Sequence, residues 1–248
     1  MAEVLITIGI IGVVAAMTLP TLINNAKNRE LQTQLQKTYS ELNQMSQLFY
    51  NDYGMSVPEY LAGAKTGKVW SDFVNKIFPR YFKLVNKVDR WTGGFVDPDT
   101  GSALDTMPYD LYTLGGQKRT SPICDNSGFY SDVIGRYYLF NDAPDTADDN
   151  GPIICVDING EKRPNTYGKD FFLFVFTVDG YVIPMGQEHA HNKVVNGSLA
   201  NNGVNIGKNF CSKNVSSQNA GSACAYYAIA DVSPDGHGTY WKDFLNGK

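Results

Sequence analysis

The chain has 248 residues, of which 43% are apolar and 19% charged, a composition that excludes intrinsic disorder as the default and allows a substantial core. Its formal net charge of −4 excludes a general basic field of the kind that holds nucleic acid, so we expect no nucleic-acid partner.

The N-terminal segment is the most apolar part of the chain. From Val4 to Ile23 it contains no charged residue, and as a helix it would span about 30 Å, the thickness of a bilayer's hydrocarbon core. A signal peptide fits poorly, because the apolar run has no basic region before it and no small-x-small cleavage site after it. A plain membrane anchor remains open as an alternative.

Two features set this segment apart from a plain anchor. Glu3 lies at the edge of the apolar run, where a lone carboxylate is costly in lipid and needs a partner. Pro20 removes a helical hydrogen bond, and Gly9 and Gly12 weaken the helix further. An anchor has no use for either feature, whereas a subunit that waits in the membrane and then repacks can use both.

The stretch AEVLITIGIIGVVAAMTLP resembles the N-terminal methylation segment of type IV pilins and type II secretion pseudopilins. In that family a glutamate near the mature N-terminus is followed by a long apolar helix with a glycine and a later proline, and Glu3, Gly12 and Pro20 keep this spacing. The resemblance implies that Glu3 neutralises the N-terminal amine of a neighbouring subunit. It also implies that the helix between Gly12 and Pro20 melts in the filament.

The same resemblance implies the partners and the location of the chain. They are identical subunits in an extracellular filament, the inner membrane before assembly, a prepilin peptidase and a pilus assembly machinery. Family members usually have four residues before the glutamate, beginning with phenylalanine, whereas this chain has Met1 and Ala2. We therefore expect a leader and the first mature residues to lie outside this numbering, and the methylated N-terminus stays open.

A polar helical pattern continues the apolar run. Its apolar residues recur at three- and four-residue steps or their sums, which predicts a stripe packed on a globular head, and Asn51, Asp52 and Gly54 predict its end. We predict one helix over residues 1–54, with 1–23 in the membrane or filament core and 24–54 on the head. Such a helix is about 75 Å long, too long for one small domain to cover. The predicted stripe consists of Leu31, Leu35, Leu42, Met45 and Phe49.

Residues 55–248 predict an α+β head with an antiparallel β-sheet. Ser71 is a candidate N-cap for a short helix that carries Phe73, Val74 and Ile77 on one face and breaks near Pro79. The later segments are rich in β-forming residues. They predict a strand over 151–158, a hairpin turning at Asp179-Gly180, and a further strand in ACAYYAIADV near the C-terminus.

The four cysteines predict two disulfides in an exported chain, since none forms a C-x-x-C pair or has a zinc-ligand histidine nearby. Three pairings are open. Sequence proximity favours Cys124–Cys155 and Cys211–Cys224, because short closures form most easily.

Two acidic loops are candidate calcium sites, because they supply the oxygen ligands that Ca²⁺ requires, although neither matches an EF-hand. Solvated turns with local hydrogen bonds are the alternative. The resemblance adds weight to calcium, since some pseudopilins bind it in their heads. The first loop contains Asp142, Asp145, Asp148 and Asp149, and the second contains Asp157, Asn159 and Asp170.

Glu188, His189 and His191 are a weaker candidate for a metal, because no third ligand is evident and a surface loop explains them as well. The chain contains no nucleophile elbow, zinc-protease motif, P-loop or dinucleotide fingerprint, so we expect no enzyme. The sequence therefore predicts a structural pilin. The alternatives are a type II secretion pseudopilin or minor tip pilin and, in another class, a membrane-anchored, cation-dependent surface-binding module.

Overall fold

The computed structural model has a single long helix, α1 (Ala2–Tyr53), at its N-terminus. Gly54 follows it with φ of 69°, and its N–H donates to the Tyr50 carbonyl at 2.8 Å. A glycine in the left-handed region is a common helix C-cap, and α1 ends one residue before the predicted boundary. The structure describes residues 2–64, 67–88, 90–91, 94–96, 103–104, 109–119, 122–125, 129–141, 143–187, 194–195, 198–201, 204–205, 208–214 and 217–247.

Three short helices follow α1, and the last two correct two predictions. Ser71 does not cap a helix, because α3 begins at Lys68 and the Ser71 N–H already donates to the Gly67 carbonyl at 3.0 Å. Pro79 does not break the helical segment either, since it lies in the first turn of α4, where a missing N–H costs nothing. The helices are α2 (Val57–Leu61), α3 (Lys68–Asp72) and α4 (Phe78–Tyr81), with a π-helical turn at Phe73–Ile77 between the last two.

The remainder of the head is mostly β-structure. Six antiparallel strands form the main sheet in the order β1-β5-β6-β7-β8-β9, and two small three-stranded sheets, β2-β3-β4 and β10-β11-β12, accompany it. The strands are β1 (Leu84–Val88), β2 (Arg90–Trp91), β3 (Gly94–Val96), β4 (Ala103–Leu104), β5 (Phe129–Asp132), β6 (Tyr137–Phe140), β7 (Ile153–Asp157), β8 (Phe171–Phe176), β9 (Val182–Pro184), β10 (Val194–Val195), β11 (Ser198–Asn201) and β12 (Val204–Asn205).

The central strands β7 and β8 are buried on both faces. Successive side chains of a strand point to opposite faces, so each strand contributes to two cores. Ile154 and Phe174 belong to the core that includes the apolar stripe of α1, whereas Cys155 and Leu173 belong to a second core on the opposite face. This double burial explains why both strands are nearly continuous apolar runs.

The predicted hairpin is present, because β8 pairs with β9 and Gly180 lies between them with φ of 79°. The predicted C-terminal strand is wrong. Its residues form helix α5 (Ala225–Ala230), with Ala225 and Ala228 buried three residues apart. Alanine favours helix strongly, and the small buried face suits a short helix packed on the head. Asp231 ends α5 in a left-handed conformation.

Candidate functional site

The first half of α1 is an exposed apolar surface. Each large apolar side chain described between Val4 and Ile23 is at least 53% exposed, and Met17 reaches 74%. The helix is long and apolar enough to cross a membrane by length and composition, and none of its most hydrophobic window is buried in the chain. By contrast, the predicted stripe from Leu31 to Phe49 is buried in the head.

The three residues that carry the family resemblance lie on this helix. Glu3 is within α1, Pro20 lies inside it, and α1 is continuous through Gly12 and Pro20. A side chain at Gly12 would meet nothing within 4 Å. The space around Gly12 is thus open within one subunit. Melting of this stretch was predicted for the filament, and it stays a prediction.

Polar contacts fasten the second half of α1 to the head along its length. At its upper end, Ser46 and Gln47 donate to the Gly180 carbonyl at 2.9 and 2.6 Å, which holds the β8–β9 turn against the helix. At its lower end, Asn28 donates to the Trp241 carbonyl at 2.7 Å and Lys27 to the Arg163 carbonyl at 2.6 Å. The head therefore contacts α1 from about Asn25 to its C-terminal end.

A buried charge network ties the middle of α1 to the sheet. The guanidinium of Arg136 pairs with Asp132 at 2.7 Å and with Glu41 at 2.6 Å, and it donates to Thr38 at 3.0 Å. Burial alone would lower the pKa of Arg136, but the nearby Tyr138 and Asp132 raise it on balance. Arg136 is 7% exposed and Asp132 4%, so this ionic cluster depends on all of its partners being present.

The structure contains two disulfides, Cys124–Cys155 and Cys211–Cys224, the pairing that sequence proximity favoured. The first attaches the segment around Cys124 to the buried strand β7. The second joins the segment after the 3₁₀ turn at Lys208–Phe210 to the start of α5. Both restrain loop-rich parts of the head that have little regular structure.

The second candidate calcium loop forms a buried carboxyl pair. Asp157 and Asp170 are almost completely buried, and burial first and their mutual repulsion second raise the pKa of Asp157 well above its usual range. Burial raises the pKa of Asp170 to about 6, although the backbone N–H groups of Thr166 and Asn165 oppose the shift. The pair is therefore held at least partly protonated at neutral pH.

The oxygens of this pair already accept hydrogen bonds. Asp157 accepts from the Tyr109 hydroxyl at 2.8 Å and the Asn159 N–H at 3.2 Å, and Asp170 accepts from Asn165 and Thr166 at 2.8 and 2.7 Å. Asn159 Oδ1 is buried without a partner, which leaves one oxygen for a cation. Calcium needs six to eight oxygens, so this arrangement matches that ligand set only in part. Calcium binding here stays a prediction.

The first acidic loop is organised as a local turn. Asp149 accepts from both the N–H and the hydroxyl of Thr146, at 3.2 and 2.9 Å. Asp142, Glu188, His189 and His191 lie outside the described residues. Among the residues that the structure does describe, no group of three or more histidine, cysteine, aspartate or glutamate side chains could hold a metal ion.

Comparison with known proteins found no significant match: no family model fits the chain, and neither a curated protein nor a solved structure is similar to it at that level. The resemblance to pilins therefore rests on the N-terminal residues and on the layout of the fold, an apolar helix joined to an antiparallel sheet.

Sequence reasoning missed two features of the junction between helix and head. The first is Arg136, whose four-residue spacing from Asp132 across the turn at Gly135 was an available signal. The second is the cluster of Lys27 and Lys169 where α1 leaves the head. No local pattern links these two lysines, because they are far apart in sequence.

Proposed function

We propose that this chain is a structural subunit of a type IV pilus-like filament, which polymerises through the apolar half of α1 and carries its head on the filament surface. A membrane holds the subunit by the same helix before assembly. The exposed apolar half of α1 carries this proposal, because no part of the chain's own described structure covers it.

The magnitude of that exposure argues for a permanent cover. Burying one large apolar side chain fully contributes about 1.5–3 kcal/mol. Eleven such side chains from Val4 to Ile23 are more than half exposed. Full burial of these side chains would together contribute tens of kcal/mol, which exceeds the net stability of a whole domain, about 5–15 kcal/mol. Lipid and neighbouring helices are the two environments that supply this cover.

The way the helix continues into the head favours assembly over simple anchoring. No flexible linker separates the apolar half from the packed half, since α1 runs unbroken from Ala2 to Tyr53. The continuous helix joins the head directly to the apolar half. Head-to-tail contacts that repeat without closing into a ring build a fibre, and the proposed filament requires contacts of this kind.

A substitution at Glu3 tests whether the chain is a filament subunit or a plain membrane anchor. We expect Glu3→Ala to abolish or strongly reduce incorporation into filaments, because the resemblance gives Glu3 the role of neutralising a neighbour's N-terminal amine in an apolar core. The matched control is Glu30→Ala, which removes an exposed carboxylate from the head-packed half of the same helix. A plain anchor would tolerate both changes.

The measurement is made on sheared cell-surface material, by electron microscopy and by mass spectrometry of the pelleted fibres. Fibres that contain wild-type and Glu30→Ala chains, with the Glu3→Ala chain confined to the membrane fraction, would support the proposal. Normal fibres from Glu3→Ala cells would sink it. A wild-type chain that stays in the membrane fraction while its loss impairs protein secretion would instead favour the pseudopilin alternative.

A further inference from the structure

A polar cavity of ≈ 490 Å³ lies where α1 leaves the head. One wall is α1 itself, which contributes Thr21, Asn24 and Lys27 at three-residue steps on one helical face. Lys169 from the loop before β8 lines the opposite side, and Leu245 near the C-terminus adds an apolar wall. The volume is in the range of ordinary small-molecule sites, about 300–1,000 Å³.

The position of the cavity along α1 matches the headgroup layer of a bilayer. The charge-free run ends at Ile23, and Lys27 is four residues beyond it, about 6 Å along a helix. The polar layer on each side of a bilayer is about 5–8 Å thick, taken from its total and hydrocarbon thicknesses. When the apolar half of α1 spans the membrane, the cavity therefore lies at the level of lipid phosphates.

The charges of the cavity select an anion. The described residues that line it include Lys27 and Lys169 and no carboxylate. Lys213 is also close, since burial first and the positive charge of Lys169 second lower the pKa of Lys213. Asp170 is the nearby opposite charge, because Lys27 lowers the pKa of that carboxyl, but Asp170 does not line the cavity and already accepts from the N–H groups of Asn165 and Thr166.

The lysines keep donors available for a ligand. Lys27 uses one of its three N–H groups on the Arg163 carbonyl at 2.6 Å. Lys169 is half-buried and forms no ion pair with any described residue. Thr21, in the last turn of the apolar run, and Asn24, just after it, are exposed and supply a hydroxyl and an amide. Cationic and neutral donors around one cavity are the usual means of holding a phosphate group.

We propose that this junction cavity binds the phosphate headgroup of an anionic phospholipid while the subunit waits in the membrane. The inference rests on the proposed function, because it requires the apolar half of α1 to lie in a bilayer. A free soluble anion could satisfy the lysines alone. The lipid is favoured because the cavity lining reaches Thr21, in the last turn of the apolar run, so a phosphate held at Lys27 leaves the acyl chains beside the membrane-spanning part of the helix.

The experiment uses the full chain in vesicles that contain phosphatidylglycerol and phosphatidylcholine with identical acyl chains. The chain is extracted, and mass spectrometry gives the ratio of the two lipids that remain bound. The test variant is Lys27→Gln/Lys169→Gln. The control is Lys68→Gln/Lys76→Gln, which removes two exposed lysines of the same charge far along the chain, each paired with Asp72. Thermal unfolding checks that every variant is folded.

We expect wild type and control to retain phosphatidylglycerol preferentially. Each basic group near an anionic surface is worth about fivefold in binding, so the test variant should lose about 25-fold of that preference. Equal preference in the test and control variants would overturn the headgroup site. Binding of inorganic phosphate that matches the lipid in affinity would also overturn it, in favour of a soluble anion.

Flotation with vesicles of phosphatidylcholine alone separates this inference from the proposed function. Insertion there depends on the apolar half of α1, not on the lysines. A wild-type chain that fails to float would count against the membrane-held subunit as a whole. A chain that floats but shows no preference for phosphatidylglycerol would count against the headgroup site alone.

Discussion

The two halves of α1 share one helix and have opposite surroundings. Up to Ile23 its described large apolar side chains are exposed, whereas Leu31, Leu35, Leu42, Met45 and Phe49 form one stripe buried in the head's core. The first half is apolar all round, and the second has polar residues opposite its stripe. A helix apolar all round needs an apolar environment on every side, which one head cannot supply.

The difference shows which half determines the fold of the head and which is left for other molecules. Asn25 is the first described residue of α1 that bonds to the C-terminal region, accepting from the Asn246 amide at 3.3 Å, and Asn28 follows by donating to the Trp241 carbonyl at 2.7 Å. Above this level α1 is part of the head's core. Below it, the helix stability comes from its own backbone bonds and from whatever covers it. Changes in each half should therefore have separable effects.

A change of pH should have the largest effect on the unfolding free energy of the head while leaving the apolar half of α1 unchanged. Asp157 and Asp170 have raised pKa values in the folded head, so the folded chain holds protons that the unfolded chain releases above about pH 4. Their stabilising contribution is present below that pH and is lost as the pH rises through about 6, the pKa of Asp170. One pKa unit corresponds to about 1.4 kcal/mol, so Asp170 alone should account for about 3 kcal/mol, and Asp157 adds to it.

Denaturant unfolding of the head between pH 4 and pH 7 measures this loss. Asp170→Asn should flatten the profile, whereas the helix content of the apolar half should not change, because Val4 to Ile23 contains no ionisable side chain. Addition of Ca²⁺ at pH 7 tests the calcium prediction on the same sample. A cation bound between the carboxylates would restore stability, and Asp170→Asn would abolish the restoration. A flat wild-type profile without calcium would contradict the protonated pair.

Arg136 should give the next largest effect. Arg136→Met keeps much of the apolar contact of the side chain but leaves Asp132 buried without a counter-charge, and breaking one partner of a buried pair costs about 3–5 kcal/mol. Lys37→Met is the control, since it breaks only the exposed pair with Glu41 at 3.9 Å, worth less than about 1 kcal/mol. Equal losses of unfolding free energy in the two variants would show that the network is not what fastens α1.

Part of this organisation could be predicted from sequence, and the reason lies in its periodicity. The apolar run and the stripe at Leu35 and Phe49 repeat over many turns, so each position supports the others. The hairpin had a local glycine signal at Gly180. The segment of α5 was predicted as a strand, because a short segment rich in tyrosine fits the two-residue period of a strand as well as the 3.6-residue period of a helix. Packing of Ala225 and Ala228 decided in favour of the helix.

The candidate sites were harder to predict, because their residues meet only in the folded chain. Asp157 and Asp170 were assigned to one loop, but their burial depends on strands β7 and β8 and on Tyr109 from a distant segment. Likewise, Lys27 and Lys169 approach one cavity from different ends of the chain. Sequence spacing carries no information on such long-range contacts.

A matched pair of leucines tests the two halves of α1 most directly. Leu35 is fully buried and Leu22 is 62% exposed on the same helix. Leu35→Ala should lower the unfolding free energy of the head by about 2–5 kcal/mol, because it removes buried surface and leaves a cavity. Leu22→Ala should leave that free energy unchanged, since nothing in the head packs on it, and should instead weaken membrane insertion or filament assembly. Chemical denaturation and the yield of sheared fibres measure the two effects. If Leu22→Ala destabilised the head as much as Leu35→Ala, the lower half of α1 would be part of the head's core, and the surface left for other molecules would be smaller than the structure indicates.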